Sequence, residues 1–207
     1  MPAARMATHL EQTFDRFLGI DSSDEQLRSQ VRAQQVHALV RTMPGMMAGN
    51  ILLGAMLLFM SLGGPLQKWA LIWYGGLAAY SAVGLKVWLG SRNGPDRKYV
   101  SPRAVKMAAI RAFLLGLIWS VAPYVFFSAE HSELNVTLGI CITGMLCVAG
   151  FVLATIPHVA LAFVLPVAVG SLVMFAAQAT ALTAVLSVIL VAYVLTVLLA
   201  SYAQTKV

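Results

Sequence analysis

Long apolar runs, separated by short polar or glycine- and proline-rich breaks, fill the chain after residue 43. The stretch from residue 134 to residue 205 contains no Asp, Glu, Lys or Arg. Because a bilayer core about 30 Å thick needs roughly 20 apolar residues for each helical crossing, this stretch alone predicts three spanning helices. Along the whole chain the pattern predicts six spans, at about 44–64, 69–89, 105–127, 134–155, 157–177 and 180–201.

Turn-forming residues mark the boundaries of these runs. Met43-Pro44 is expected to break the preceding helix and begin the first span, because proline lacks the N–H that a helix interior needs and a first turn does not. Gly63-Gly64-Pro65 predicts a tight turn after the first span. Ile156-Pro157 predicts the start of the fifth span.

The first 43 residues are polar and predict two further helices, at about 6–18 and 24–41. Ser22 and Glu25 have the spacing of a capping box, which gives the second helix a defined start. Its apolar residues recur at helical spacing, a pattern that suits an amphipathic helix on a membrane surface and equally a solvated helix.

The fold class predicted from these patterns is all-α, a polytopic membrane bundle of about six transmembrane helices preceded by amphipathic cytoplasmic helices. The chain divides into a helical preface (1–43), a six-helix transmembrane domain (44–202) and the start of a linker (203–207). A hydrophobic content of 59% with only 11% charged residues agrees with a membrane protein.

Basic residues predict the orientation of the bundle. The segment 91–103 contains four Lys or Arg residues against the single acid Asp96, which favours the cytoplasmic side. The loop that holds Glu130 and Glu133 contains no basic residue and is expected on the periplasmic or outer side. Both ends of the chain are then cytoplasmic.

The net charge of +6 does not indicate a nucleic-acid partner, because the basic residues adjoin the predicted spans. Lys86 and Arg111 lie inside spans but near the basic loop, so their long stems are expected to carry the charge to the interface. Cys141 and Cys147 are too few for a disulfide framework or a zinc site. We expect no metal site and no cofactor.

The candidate ligand-binding residues are Trp119, Tyr124 and His158. Trp119 and Tyr124 flank Pro123 and, together with Pro166, are expected to line an apolar cavity, because proline bends a helix and frees a carbonyl. His158 begins the fifth span, where an imidazole can sense pH, ligate a metal or contact a ligand. Ordinary packing remains the alternative for the aromatic residues, as does a satisfied interfacial histidine for His158.

Small residues four positions apart predict close helix packing at Gly75 and Ala79, at Gly76 and Tyr80, and along Gly139, Thr143 and Cys147. The sequence contains no nucleotide-binding glycine loop, no HExxH motif and no G-x-S-x-G motif. We therefore expect no catalytic residue in this chain.

Five segments resemble the membrane-embedded N-terminal input regions of bacterial GGDEF, or GGDEF and EAL, cyclic-di-GMP signalling proteins. They are FDRFLGID (14–21), RAQQVHALVRTMPGMMAGN (32–50), GLIWSVAPYVFF (116–127), ATIPHVALAFVLP (154–166) and the end of the last span at 198–202. The resemblance covers essentially the whole chain. The GGDEF and EAL signatures themselves are absent from it.

The resemblance implies a sensory module of the bacterial inner membrane. It would pass a membrane or periplasmic signal, carried by an unknown small molecule, to a fused cytoplasmic output domain. The expected mechanism is a small shift of the sixth helix within a homodimer. Two alternatives stay open: a small stand-alone transporter or channel-like protein, and a cofactor-binding membrane subunit.

Overall fold

The computed structural model describes residues 25–92, 102–127, 132–152, 156–178 and 180–204. These residues form six helices and no strand: α1 (Glu25–Met60), α2 (Gln67–Arg92), α3 (Pro102–Phe126), α4 (Ser132–Val152), α5 (Pro157–Gln178) and α6 (Ala181–Gln204). The predicted all-α class is confirmed. The predicted helix at 6–18, Ser22, most of the 91–103 loop, residues 128–131 and residues 205–207 lie outside the described part of the chain.

Five helices are long and apolar enough to cross a membrane. Their candidate spans are Val40–Met60, Gln67–Gly90, Arg103–Phe126, Glu133–Gly150 and His158–Gln178. α6 contributes a shorter apolar stretch, Thr183–Thr196, among the described residues. These segments overlap the predicted apolar runs, and their ends differ from the predicted ones by up to about five residues.

The expected break at Met43-Pro44 is wrong, because α1 continues through Pro44 as one helix of 36 residues. Pro44 lacks the N–H that would bond the carbonyl of Val40. Met46 packs against the core and Met47 is buried, so tertiary contacts hold the helix just beyond the proline. The segment before Pro44 is therefore a direct extension of the first candidate span.

Local chemistry explains the turn after α1 and the start of α6. Gly63 has φ of 79°, a left-handed conformation that glycine adopts without strain, and its N–H donates to Gln67 Oε1 at 3.1 Å. At α6 the Thr183 N–H donates to Thr180 Oγ1 at 3.2 Å, and the Thr180 N–H donates to Thr183 Oγ1 at 3.0 Å. This reciprocal pair satisfies two backbone donors, as a capping box does.

The α3–α5 pair forms the closest helix contact in the described bundle. A Cβ at Gly116 of α3 would lie 2.6 Å from the carbonyl oxygen of Phe163, and a Cβ at Gly170 of α5 would lie 2.7 Å from that of Ser120. Only glycine permits the two backbones to approach this closely. Both helices run in the same direction, and α6 packs on the outside of α5.

The close contacts do not occur where the small-residue spacing of α2 predicted them. A Cβ at Gly75 or Gly76 would meet no atom within 4 Å, and Ala79 is exposed. On α4, a Cβ at Gly139 would lie 3.4 Å from Leu186, an ordinary contact. Spacing identifies small residues on one face of a helix, but it does not show which face meets a neighbour.

One end of the bundle carries nearly all of its described basic residues. Arg41 of α1, Lys86 of α2, and Arg103, Lys106 and Arg111 of α3 lie in the halves of their helices that meet there. We call this the basic end. Among the described residues, Lys68 is the basic residue at the opposite end.

Candidate functional site

A buried amide and a buried indole join α1 to α3 in the interior of the bundle. Trp119 Nε1 donates to Asn50 Oδ1 at 2.7 Å, and both side chains are 0% exposed. Asn50 Nδ2 donates in turn to the carbonyl of Met46, one turn back on its own helix, at 2.8 Å. A buried polar group is stabilised only where it finds such partners, so this contact specifies how α1 and α3 fit together.

Aromatic rings surround this hydrogen bond. Trp73 of α2 meets Trp119 edge to face at 5.4 Å between ring centroids and meets Phe126 in the same way at 5.1 Å. Trp73 Nε1 also donates to the carbonyl of Ile118 at 2.7 Å. We call Asn50, Trp73, Trp119 and Phe126 the Asn50–Trp119 cluster, which fills the centre of the α1–α2–α3 contact.

Ser81 lies opposite Asn50 across the antiparallel α1–α2 contact. A Cβ at Gly84 would lie 2.9 Å from Met47 Sδ, and a Cβ at Gly54 would lie 2.6 Å from Leu77 Cδ2. Asn50 lies between Met47 and Gly54 on α1, and Ser81 lies between Leu77 and Gly84 on α2. Ser81 Oγ is buried and forms no hydrogen bond to any described residue.

A cavity of about 300 Å³ lies between α1, α2, α3 and α5, on the side of the cluster toward the basic end. Its wall is almost entirely apolar and is rich in methionine. The lining residues are Val40, Met43, Met46, Met47, Tyr80, Val87, Ala104, Met107, Ala108, Arg111, Ala112, Leu115, Val159 and Phe163. The volume lies at the lower end of the range for small-molecule sites, which are mostly apolar with a few polar groups.

The polar groups of the cavity wall are supplied by Tyr80 and Arg111. The Tyr80 hydroxyl donates to the backbone carbonyl of Arg111 at 2.6 Å, which fixes α2 against α3. Arg111 lines the cavity and is exposed, so we call the part of the cavity beside it the mouth. Among the residues whose side chains the structure describes, the one acid is Glu133, which begins α4 at the end of the bundle opposite Arg111.

The Asn50–Trp119 cluster closes the inner end of the cavity. Leu115 and Met46 line the wall, and Trp119 and Asn50 lie one helical turn further in on the same helices. Both are fully buried, so the packed interior continues directly beyond the cavity. The cavity therefore does not continue past the cluster as a passage through the described bundle.

The structure does not bring the three predicted ligand-binding residues together. Trp119 lies in the cluster with its indole nitrogen bonded to Asn50, and the Tyr124 side chain is 50% exposed on the outside of α3. His158 is half-buried in the first turn of α5, next to Val159 of the cavity wall. None of the three belongs to the described wall, and their role in binding stays a prediction.

The residues that do form the cavity carried a signal in the sequence. Met43, Met46 and Met47 form a dense methionine group around Pro44, and methionine fills adaptable apolar sites. For Arg111 the sequence predicts only a cation whose long stem reaches the interface. Its place beside the cavity depends on the α2–α3 and α3–α5 contacts, which the spacing of the sequence does not contain.

No protein-family model matches the chain, and neither a curated protein nor a solved structure is significantly similar to it.

Proposed function

We propose that this chain is a membrane-embedded input module, in which a small molecule occupies the cavity at the basic end and changes how the helices pack. The observation that carries the proposal is the apolar cavity, whose wall comes from four helices and whose inner end meets the packed Asn50–Trp119 cluster. A pocket that many helices share can couple its occupancy to their relative positions, because a ligand shifts a protein toward the arrangement it binds best.

The α3–α5 contact supports a route for the signal through the bundle. Val159 and Phe163 of α5 line the cavity, and Phe163 also supplies the carbonyl against which Gly116 packs. α6 packs on α5, and the Tyr193 hydroxyl of α6 donates to the carbonyl of Leu146 on α4. A shift of α5 by 1–2 Å, about the size of known helix shifts in switching proteins, would move α6 with it.

The same geometry favours an input module over a transporter. A transported molecule would have to pass Trp73, Trp119 and Phe126, which fill the interior beyond the cavity with rings packed edge to face. Close packing of this kind resists opening, because protein interiors are as dense as organic crystals. A ligand that enters and leaves by the same mouth needs no such path.

We further propose, on the resemblance to cyclic-di-GMP signalling proteins, that the module lies in a bacterial inner membrane and controls a cyclic-di-GMP output domain. In this arrangement six helices cross the membrane, and the excess of Lys and Arg at the basic end supports a cytoplasmic position for that end. The output domain would then lie on the same side as the cavity mouth.

The test of this proposal is the mass of the native polypeptide in bacterial membranes, measured by intact mass or by immunoblot. We expect a product much heavier than the 22.2 kDa of this chain, since the module requires an output domain. A native product of 22.2 kDa would overturn the fused arrangement and would leave transport or regulation of a separate partner as the leading account.

A further inference from the structure

We propose that the cavity binds an anionic amphiphile, a medium-length acyl chain with a carboxylate or phosphate head, with the chain inside the bundle and the head at Arg111. The proposal rests on the input function and names the class of ligand that the same cavity takes. The proposal rests on the apolar wall, on the basic side chain of Arg111 in that wall, and on the packed cluster at the inner end of the cavity.

The wall selects an apolar chain. Met43, Met46, Met47 and Met107 supply flexible thioether side chains, which adapt to an irregular apolar guest. A chain that enters from water gains about 0.8 kcal/mol for each methylene buried there. A volume of about 300 Å³ holds roughly ten chain atoms if each occupies about the 30 Å³ share of a water molecule.

The mouth selects a negative head. Arg111 is the basic side chain of the wall, and Glu133, the one acid whose side chain the structure describes, lies at the opposite end of the bundle. Guanidinium binds carboxylate or phosphate through two parallel hydrogen bonds, which gives both affinity and orientation. The Tyr80 hydroxyl proton is already donated to the Arg111 carbonyl, so the guanidinium is the donor that remains for an anionic head.

The closed inner end of the cavity determines the orientation of the ligand. Leu115 and Phe163 lie on the wall, and the Asn50–Trp119 cluster lies one turn deeper, with its indole and amide groups bonded to each other. No polar group of that cluster is directed to a ligand head. The head therefore stays at Arg111 and the chain end approaches the cluster.

The experiment measures binding of decanoate to the full chain in detergent micelles or nanodiscs, by native mass spectrometry or calorimetry, with decanol as the uncharged probe. We expect decanoate to bind and decanol to bind more weakly. Arg111→Gln should weaken decanoate binding by about tenfold or more, the factor expected when a hydrogen bond to a charged group is lost. Lys106→Gln, which removes a charge from the same helix outside the wall, should leave it unchanged.

Such a ligand has two possible sources, and the mass of the molecule that copurifies with the protein distinguishes them. A free fatty acid indicates that the ligand is a dissolved signal. An anionic phospholipid that decanoate displaces indicates that the ligand comes from the surrounding membrane. Either result supports the proposed class of ligand. Decanol binding as tight as that of decanoate, an unchanged affinity in Arg111→Gln, or no binding because a segment of this chain already fills the cavity would overturn it. The binding experiment does not measure signalling. If decanoate does not bind as expected, the input function is still tested separately, by turnover measurements on cavity variants.

Discussion

The hydrogen bond between Trp119 and Asn50 connects α3 to α1 inside the described bundle. It joins two fully buried side chains on helices far apart in the sequence. Removing one partner leaves the other buried and unsatisfied, which costs about 1–3 kcal/mol, although hydrogen bonds between membrane helices average about 0.6 kcal/mol.

Asn50→Ala should therefore lower the free energy of unfolding by about 1–2 kcal/mol, because the Trp119 N–H loses its acceptor. The measurement is unfolding of the purified chain by SDS in mixed micelles, followed by tryptophan fluorescence. Ser81→Ala is the matched control on the facing helix. Its hydroxyl has no described partner, so the change should be neutral or slightly stabilising. Equal losses in the two variants would contradict the assigned role of the hydrogen bond.

Single residues also show what the sequence can and cannot reveal about the site. Asn50, Trp119 and Tyr80 are polar or amphipathic residues inside apolar runs, so the sequence marks each of them as unusual. It does not show that Trp119 meets Asn50 while Tyr80 meets Arg111. These pairs depend on the register between helices, which apolar sequence runs leave undetermined.

At the scale of the helices, the α3–α5 contact depends on glycine at positions where no side chain fits. Gly116→Ala should place a methyl group 2.6 Å from the carbonyl oxygen of Phe163 and force the backbones apart. Overpacking of this kind typically costs about 1–3 kcal/mol. The same SDS unfolding measurement should show the loss.

Gly75→Ala is the matched control for this substitution, because a Cβ at Gly75 meets no atom within 4 Å. Alanine is the better helix former by up to about 1 kcal/mol, so this variant should be as stable as the wild type or more stable. If Gly75→Ala destabilised the chain as much as Gly116→Ala, the close α3–α5 approach would not be its source.

The helices themselves were largely predictable from the sequence. Apolar runs of about 20 residues and the breaks at Gly63-Gly64-Pro65 and Ile156-Pro157 place α2 to α6 close to their observed bounds. The predicted break at Pro44 is wrong because proline at a helix start and proline inside a continuous membrane helix occur in similar local sequences. Tertiary contacts on both sides of Pro44 determine whether the helix breaks or continues. The local sequence does not show these contacts.

At the scale of the whole molecule, the proposed function requires that occupancy of the cavity alters helix packing and thereby an output. Ala112 lies on the wall between Arg111 and Leu115, whereas Ala82 of α2 is exposed and lies outside the wall. Leucine at either position adds the same side-chain volume. Only the change at Ala112 fills part of the cavity.

The measurement that tests this claim most directly is cyclic-di-GMP turnover in membranes that contain the native protein, normalised to its amount on an immunoblot. Ala112→Leu should change the turnover rate by several-fold, since a filled cavity holds the bundle in one arrangement, while Ala82→Leu should match the wild type. Equal rates for all three proteins at equal abundance, or no turnover attributable to the protein, would contradict the account.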